Sequence, residues 1–186
     1  MHLIKKVMVT VSGDMSTSTN YSPSSAEEHR KEQLLFETGT AFYAILWPPI
    51  EPHFETIESE IRSRFNVIES WDYVFEDDIG EFVRSVYSHD GRSDRWFIEN
   101  KIKEFGQQQA VTRILSFEIP NPYFIRDNGE YVSHATLNEK LRLRKFLEDE
   151  IESYTYGTGI HMTDNFENNA HISEQISTIF SKRTDI

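Results

Sequence analysis

The feature that most constrains the fold is an unbroken apolar run, Ala41-Phe42-Tyr43-Ala44-Ile45-Leu46-Trp47, halted by Pro48-Pro49. It lacks the alternation of a half-exposed strand and reads as a strand buried in the middle of a sheet. Proline cannot donate to a ladder, so the strand ends at Trp47. Such a strand needs neighbours on both edges and a cover of helices.

The segments that follow supply them. Phe54, Ile57, Ile61 and Phe65 recur at helical spacing and form one face of a helix. Residues 67–75 are rich in β-branched and aromatic types and form a second strand. Residues 79–88 and 94–105 are two helices parted by Asp90-Gly91. Residues 111–119 alternate as a third strand, closed by Pro120-Asn121-Pro122. A long loop or ribbon with a turn at Asp127-Asn128-Gly129 occupies 123–135. Residues 137–152 are helical, with Leu137, Leu141, Phe146, Leu147 and Ile151 inward. Residues 159–163 are a fourth strand, and a helix over 167–180 places Ile172, Ile176 and Ile179 inward. This order predicts an α+β ferredoxin-like sandwich: a four-stranded antiparallel sheet with helices on one face.

That domain spans 40–186, and residues 1–39 read as an appendage. Val7, Val9 and Val11 alternate as a strand, 13–25 is a flexible Ser/Thr/Asn-rich stretch, and Ser24 or Ser25 caps a helix reaching Phe36.

Charge and composition exclude several classes. The formal net charge is −12, which repels nucleic acid and anionic membrane, so neither is expected as a partner. Cysteine is absent, which removes disulfides, thiolate zinc sites and a cysteine nucleophile. No apolar run approaches the roughly 20 residues of a membrane span, and Lys5-Lys6 precede too short an apolar stretch for a signal peptide. The expected location is cytoplasmic. Walker, GxGxxG, GxSxG and HExxH patterns are missing. His134, His161, His171 and Asp164 match no zinc spacing, so no metal ligands are assigned.

The chemistry concentrates in Gly159-Ile160-His161-Met162-Thr163-Asp164-Asn165-Phe166-Glu167. A neutral imidazole at the end of a short strand serves as nucleophile, base or metal ligand, and neighbours such as Asp164 and Glu167 fix which nitrogen is free. The structural alternative is a strand histidine bonded to Asp164 or backbone, with Thr163, Asp164 or Asn165 capping the last helix. Lys140, Arg142, Arg144 and Lys145 form a basic cluster in an acidic chain. Arg142 and Arg144 lie about 200° apart on a helix, whereas Lys140 and Arg144 share a face. The cluster is either a phosphate clamp, joined by Arg113 or Arg126, or a solvated face paired with Glu139, Glu148 and Asp149. Trp96 or Phe97 either stacks a base or fills the core.

Four stretches resemble nucleoside diphosphate kinases in the same order over roughly 41–180. Ala44-Ile45-Leu46-Trp47-Pro48 is similar to the family's first strand ending in Lys-Pro-Asp. Tyr87-Ser88-His89-Asp90-Gly91 with Trp96-Phe97 is similar to its Tyr-x-x-His-x-Gly-x-x-Phe-Phe stretch, and Ala110-Val111 to its Pro-Val-Val strand. His161, Thr163, Asp164 and Glu167 resemble its Ile-His-Gly-Ser-Asp-Ser-x-Glu.

The resemblance implies a nucleoside diphosphate kinase-like domain that binds a nucleotide or another phosphate-bearing small molecule, with Mg²⁺ carried in by the nucleotide. It assigns His161 as phosphoryl acceptor or general base, supported by Glu167 and Asp164. Arg142, Arg144, Lys140, Trp96, Phe97, Thr163 and Arg113 become the substrate-binding set. The family is oligomeric, so a homo-oligomer is open to this chain too.

The departures are specific. Trp47 stands where the family has its catalytic lysine, and Thr158 where it has an asparagine. The arginine-bearing loop before the last strand is largely missing, and residues 120–136 exceed the family's connection. Arg142 or Arg144 takes the place of its helix arginine. Phosphoryl transfer needs fixed positive charge around the moving phosphate. The expectation is therefore a divergent phosphotransferase, with a non-catalytic nucleotide-binding or assembly module on the same scaffold as the alternative.

Overall fold

The computed structural model describes residues 41–76, 79–89, 95–106, 110–119, 123–127 and 129–181. The expectations for 1–39, for the Asp90-Gly91 and Pro120-Asn121-Pro122 breaks and for Asn128 fall outside them.

The described chain is α+β. A main sheet is built from β1 (Phe42–Leu46), β2 (Asn66–Phe75), β3 (Ala110–Glu118) and β6 (Ile160–Met162), in the order β2-β3-β1-β6. Every neighbouring pair is antiparallel. The ribbon expected over 123–135 is a hairpin of β4 (Phe124–Asp127) and β5 (Glu130–Ser133). Five α-helices accompany them: α1 (Phe54–Arg62), α2 (Ile79–Val86), α3 (Arg95–Phe105), α4 (His134–Glu150) and α5 (Phe166–Ser181). A 3-10 segment, Pro48–His53, joins β1 to α1. Four antiparallel strands in this order are compatible with a ferredoxin-like arrangement.

The expectation of helices on one face is corrected. Successive side chains of a strand point to opposite faces, and β1 is apolar on both. Phe42, Ala44 and Leu46 join Leu115 and Phe117 of β3, Phe54, Ile57 and Ile61 of α1, and Leu143 and Leu147 of α4 in one core. Ile45 and Trp47 join Ile114, Phe82 and Val83 of α2, Phe105 of α3, and Ile172, Ile176 and Ile179 of α5 in a second core. The sheet is therefore covered twice. Each fully buried aliphatic side chain contributes about 1.5–3 kcal/mol, so a central strand with no polar face draws helices to both sides.

The inward stripe of α4 also differs from expectation. Leu141 is exposed, and the buried positions are Thr136, Glu139, Leu143 and Leu147. Two of the four are polar, which hid the stripe from an apolar count. Ser133 caps this helix: its hydroxyl accepts from the Thr136 amide, and Thr136 Oγ1 donates to the Ser133 carbonyl at 3.1 Å. Glu139 accepts from Arg142 and pairs with Arg64.

β2 lies at one edge of the sheet, and its register shifts between Val67 and Glu69. A bulge there twists the edge away from strand addition. Among the described residues no helix is long and apolar enough to cross a membrane.

Candidate functional site

The site forms where β6 passes between α4 and the α2/α3/α5 face. β6 is an edge strand, paired only to β1 within the sheet order, with Ile45 opposite His161. A turn at 155–158 delivers it: Thr158 donates from both its amide and its hydroxyl to the Thr155 carbonyl. Gly157 lies within this turn at φ +82, in the region that favours glycine. At Gly159 a Cβ would lie 2.6 Å from Ile50 Cγ2 and 2.8 Å from Tyr154 Cε2, so the strand fits only with glycine there.

An edge strand leaves alternate backbone groups without a strand partner. Gly159 O and Thr163 N bond to β1, so Ile160 and Met162 point their carbonyls outward. The basic residues of α4 meet them. Arg144 Nη2 donates to Ile160 O at 3.3 Å, and Lys140 Nζ to Met162 O at 3.5 Å. Lys140 also pairs with Asp164, and Arg144 lies 5.3 Å from the Tyr156 ring centroid. Arg142 points elsewhere, to Glu139 and to Glu60 of α1.

His161 points to the opposite face from this edge belt, among α2 and α3. It is 5% exposed, and its Nε2 has no hydrogen-bond partner. The Tyr87 ring stands edge-on to it at 5.1 Å between centroids. Burial first, then the positive field of Lys140, Lys101 and Arg144, push the imidazole well below the ordinary histidine value. The ring is neutral at pH 7, and the tautomer that carries its proton on Nδ1 is the one that presents a lone pair at Nε2.

Beside this centre runs a cleft of about 310 Å³ lined by Trp96, Phe97, Asn100, Lys101, Lys103, Glu104, Thr155 and Thr158. Trp96, 74% exposed, stands at its rim. Lys101 joins cleft to centre: it is buried, and its ammonium donates to the Tyr87 hydroxyl. The Tyr87, Phe97 and Trp47 rings surround it.

The expected residues thus divide. His161, Lys140, Arg144, Trp96 and Phe97 lie around the centre or its cleft. Asp164 belongs to Lys140 and does not hydrogen-bond the imidazole. Glu167 is exposed on the first turn of α5 and does not hydrogen-bond His161. Asn165 is the residue that caps α5, its side chain accepting from the Asn168 amide at 2.8 Å. Thr163 is wholly buried, and its hydroxyl accepts from Tyr43 N at 2.9 Å, which anchors β6 to β1. Arg113 serves the other face, where Asp72, Glu58 and Glu55 surround it. Burial and pairing thus turn Asp164, Thr163, Arg142 and Arg113 to structural work.

Lys101 and Asn169 were not expected. Both occupy apolar stripes at helical spacing: Phe97, Lys101 and Phe105 on α3, and Asn169, Ile172, Ile176 and Ile179 on α5. A polar residue inside an inward stripe was the available signal. Asn169 is 2% exposed and neither polar atom of its amide has a partner.

The second histidine centre pairs His171 with His89, ring centroids 3.9 Å apart, and Nε2 of His171 meets the Ser85 carbonyl at 2.7 Å. Among the described residues no group of three or more histidines and carboxylates is placed to hold a metal ion. Compared with family models, curated proteins and solved structures, the chain matches none.

Proposed function

We propose that this chain is a divergent, nucleoside diphosphate kinase-like phosphotransferase that binds a nucleotide in the α3 cleft and uses His161 as phosphoryl acceptor. The observation that carries the reading is a neutral imidazole, its Nε2 unpartnered, in the field of Lys101, Lys140 and Arg144 and next to an aromatic-rimmed cleft. The order of elements, with two helices between β2 and β3, supports it.

In this reading Trp96 and Phe97 take the base, and the phosphates point toward β6. Mg²⁺ enters bound to the phosphates. The Nε2 lone pair attacks the terminal phosphorus. The bond from phosphorus to the bridging oxygen breaks, and the nucleoside diphosphate leaves with that electron pair. The ring keeps its Nδ1 proton while Nε2 carries the phosphoryl group. A second phosphate oxygen then attacks phosphorus and returns the neutral imidazole. Because His161 is buried, the ligand must part α3 from the 155–158 turn to reach it.

Incubation with Mg²⁺ and γ-labelled ATP or GTP tests the reading. Acid-labile, alkali-stable label on the wild type, absent from His161→Gln, is the expected result. Turnover without retained label, lost in the same variant, assigns His161 as general base instead. No label and no turnover with any nucleotide overturns the enzyme.

A second reading, a binding module without catalysis, is favoured by Trp47. It is fully buried against Phe82, Tyr87 and Phe105, where the resembled family places its lysine. Calorimetric nucleotide binding without label or turnover selects it.

A further inference from the structure

Asn169 heads the apolar stripe that Ile172, Ile176 and Ile179 continue along α5. It is 2% exposed, and neither polar atom of its amide has a hydrogen-bond partner. Either orientation of the amide leaves a donor and an acceptor unspent. Burying them costs stability, and a leucine would fill the position without that cost. Packing alone does not account for the amide.

The path of α5 shows what lies beneath it. The main sheet runs in the order β2-β3-β1-β6. Phe180, near the end of α5, packs on Trp71 and Tyr73 of β2, with ring centroids 5.4 and 6.1 Å away. Ser173 accepts from the Tyr43 hydroxyl of β1 at 3.1 Å. Followed backward, the helix thus crosses the sheet from the β2 edge toward the β6 edge. Asn169 is one turn before Ser173, about 6 Å along the axis, and neighbouring strands are about 4.8 Å apart. That step sets Asn169 over β6. Ile160 and Met162 belong to the opposite core, so His161 is the β6 side chain on this face. Thr163, just beyond the strand, accepts from Tyr43 N. The imidazole remains, and its Nε2 also lacks a partner. Helix and strand thus bring two buried polar groups together without bonding them to each other. Lys140 and Arg144 act on the ring as positive charges, which favours an anionic group between ring and amide.

We infer that Asn169 is the oxyanion donor of this site: its Nδ2–H group donates to a non-bridging oxygen of the phosphoryl group that His161 receives. As Nε2 bonds to the terminal phosphorus, the bridging P–O bond breaks toward the nucleoside diphosphate, and negative charge stays on the non-bridging oxygens. A fixed donor aimed at them stabilises the transfer and gives up no proton. This role rests on the phosphotransferase reading above, and the two fail in distinguishable ways.

The test is the rate at which Mg²⁺ and γ-labelled ATP place acid-labile label on the full chain, beside calorimetry with MgADP, for wild type and Asn169→Leu. The variant takes up label roughly 10- to 100-fold more slowly, the loss of one hydrogen bond to a charged group. It keeps MgADP affinity within about 3-fold, because MgADP lacks the transferred group. A wild-type labelling rate in Asn169→Leu overturns the inference, and the amide then holds no more than a buried water. Parallel loss of label and MgADP affinity also overturns it, since the residue then only shapes the pocket. A wild type that binds MgATP and is never labelled overturns it and leaves nucleotide binding standing. A wild type that neither binds nor reacts with any nucleotide overturns both. Should Asn169→Leu not fold, Asn169→Ala, which removes the amide without adding bulk, answers the same question by the same measures.

Discussion

The two faces of the main sheet differ in how fully their buried polar groups are paired, although Lys101 and His171 on the α2/α3/α5 face have partners in Tyr87 and Ser85. On the α1/α4 face they are paired. Arg113 meets Asp72, Glu58 and Glu55; Glu58 also takes Arg62 and Ser70; Glu139 lies between Arg64 and Arg142. On the α2/α3/α5 face Trp47 Nε1, Thr112 Oγ1, His161 Nε2 and both amide atoms of Asn169 have no partner. Among the described residues the one such atom elsewhere is Arg144 Nε, at the β6 edge. A buried polar atom left without a partner costs about 1–3 kcal/mol. A face that carries several, under stacked aromatics such as Trp47 with Phe105 and Phe75 with Phe82, is less stable than its packing allows. Pairing marks the face that holds the fold, and in the proposed reading the unpartnered groups lie on the face that takes the ligand.

The sharpest way to break this contrast is to substitute one residue on each face. Arg113 has a side chain only 13% exposed, so Arg113→Ala leaves Glu58 facing Asp72 and Glu55 without their common cation. Removing one partner of such a cluster costs about 3 kcal/mol, read from urea unfolding. A loss below about 1 kcal/mol would mean that the carboxylates rehydrate and that charge does not hold this face. Asn169→Leu is the counterpart. It replaces an amide that bonds nothing with an apolar group of similar size, so it stabilises by about 1–2 kcal/mol in the same experiment. Destabilisation would place a partner on that amide and narrow the contrast to His161 and Trp47.

Much of the frame was legible because apolar periodicity reports burial directly. The unbroken run ending at Trp47 became the strand between β3 and β6, and the Phe54, Ile57 and Ile61 spacing became the buried face of α1. The same run also carried the clue that was underused: a strand apolar on both faces needs two covers. The inward stripe of α4 was obscured by Thr136 and Glu139, whose burial depends on partners far along the chain, Arg64 among them. The site was legible as one histidine and a basic helix. Which cations reach β6 follows from helical phase, and this set Lys140 and Arg144 apart from Arg142. The pairing of Asp164 with Lys140, rather than with the ring three residues before it, could not be read from spacing. Nor could the aromatic enclosure of Lys101, which brings together the end of β1, α2 and α3.

The smallest effect tests the imidazole itself. His161 is pushed well below the ordinary histidine value of about 6.5, mainly by burial. Above pH 6.5 the ring is neutral in the folded and unfolded chain alike, and its contribution to stability is complete. Below that value the unfolded chain takes up a proton that the folded chain refuses. Stability is therefore lost as pH falls from about 6.5 toward the depressed folded value, at up to about 1.4 kcal/mol per pH unit. Between pH 7.5 and 5.5 the wild type should lose about 1 kcal/mol more than His161→Gln, compared by urea unfolding at the two values. The other histidines are common to both chains and cancel. Equal losses would mean that the ring takes up its proton in the folded state as readily as in the unfolded one. That ring would be solvated or paired, and the face it lies on would not differ from its opposite in the way that the proposed phosphoryl transfer asks of Nε2.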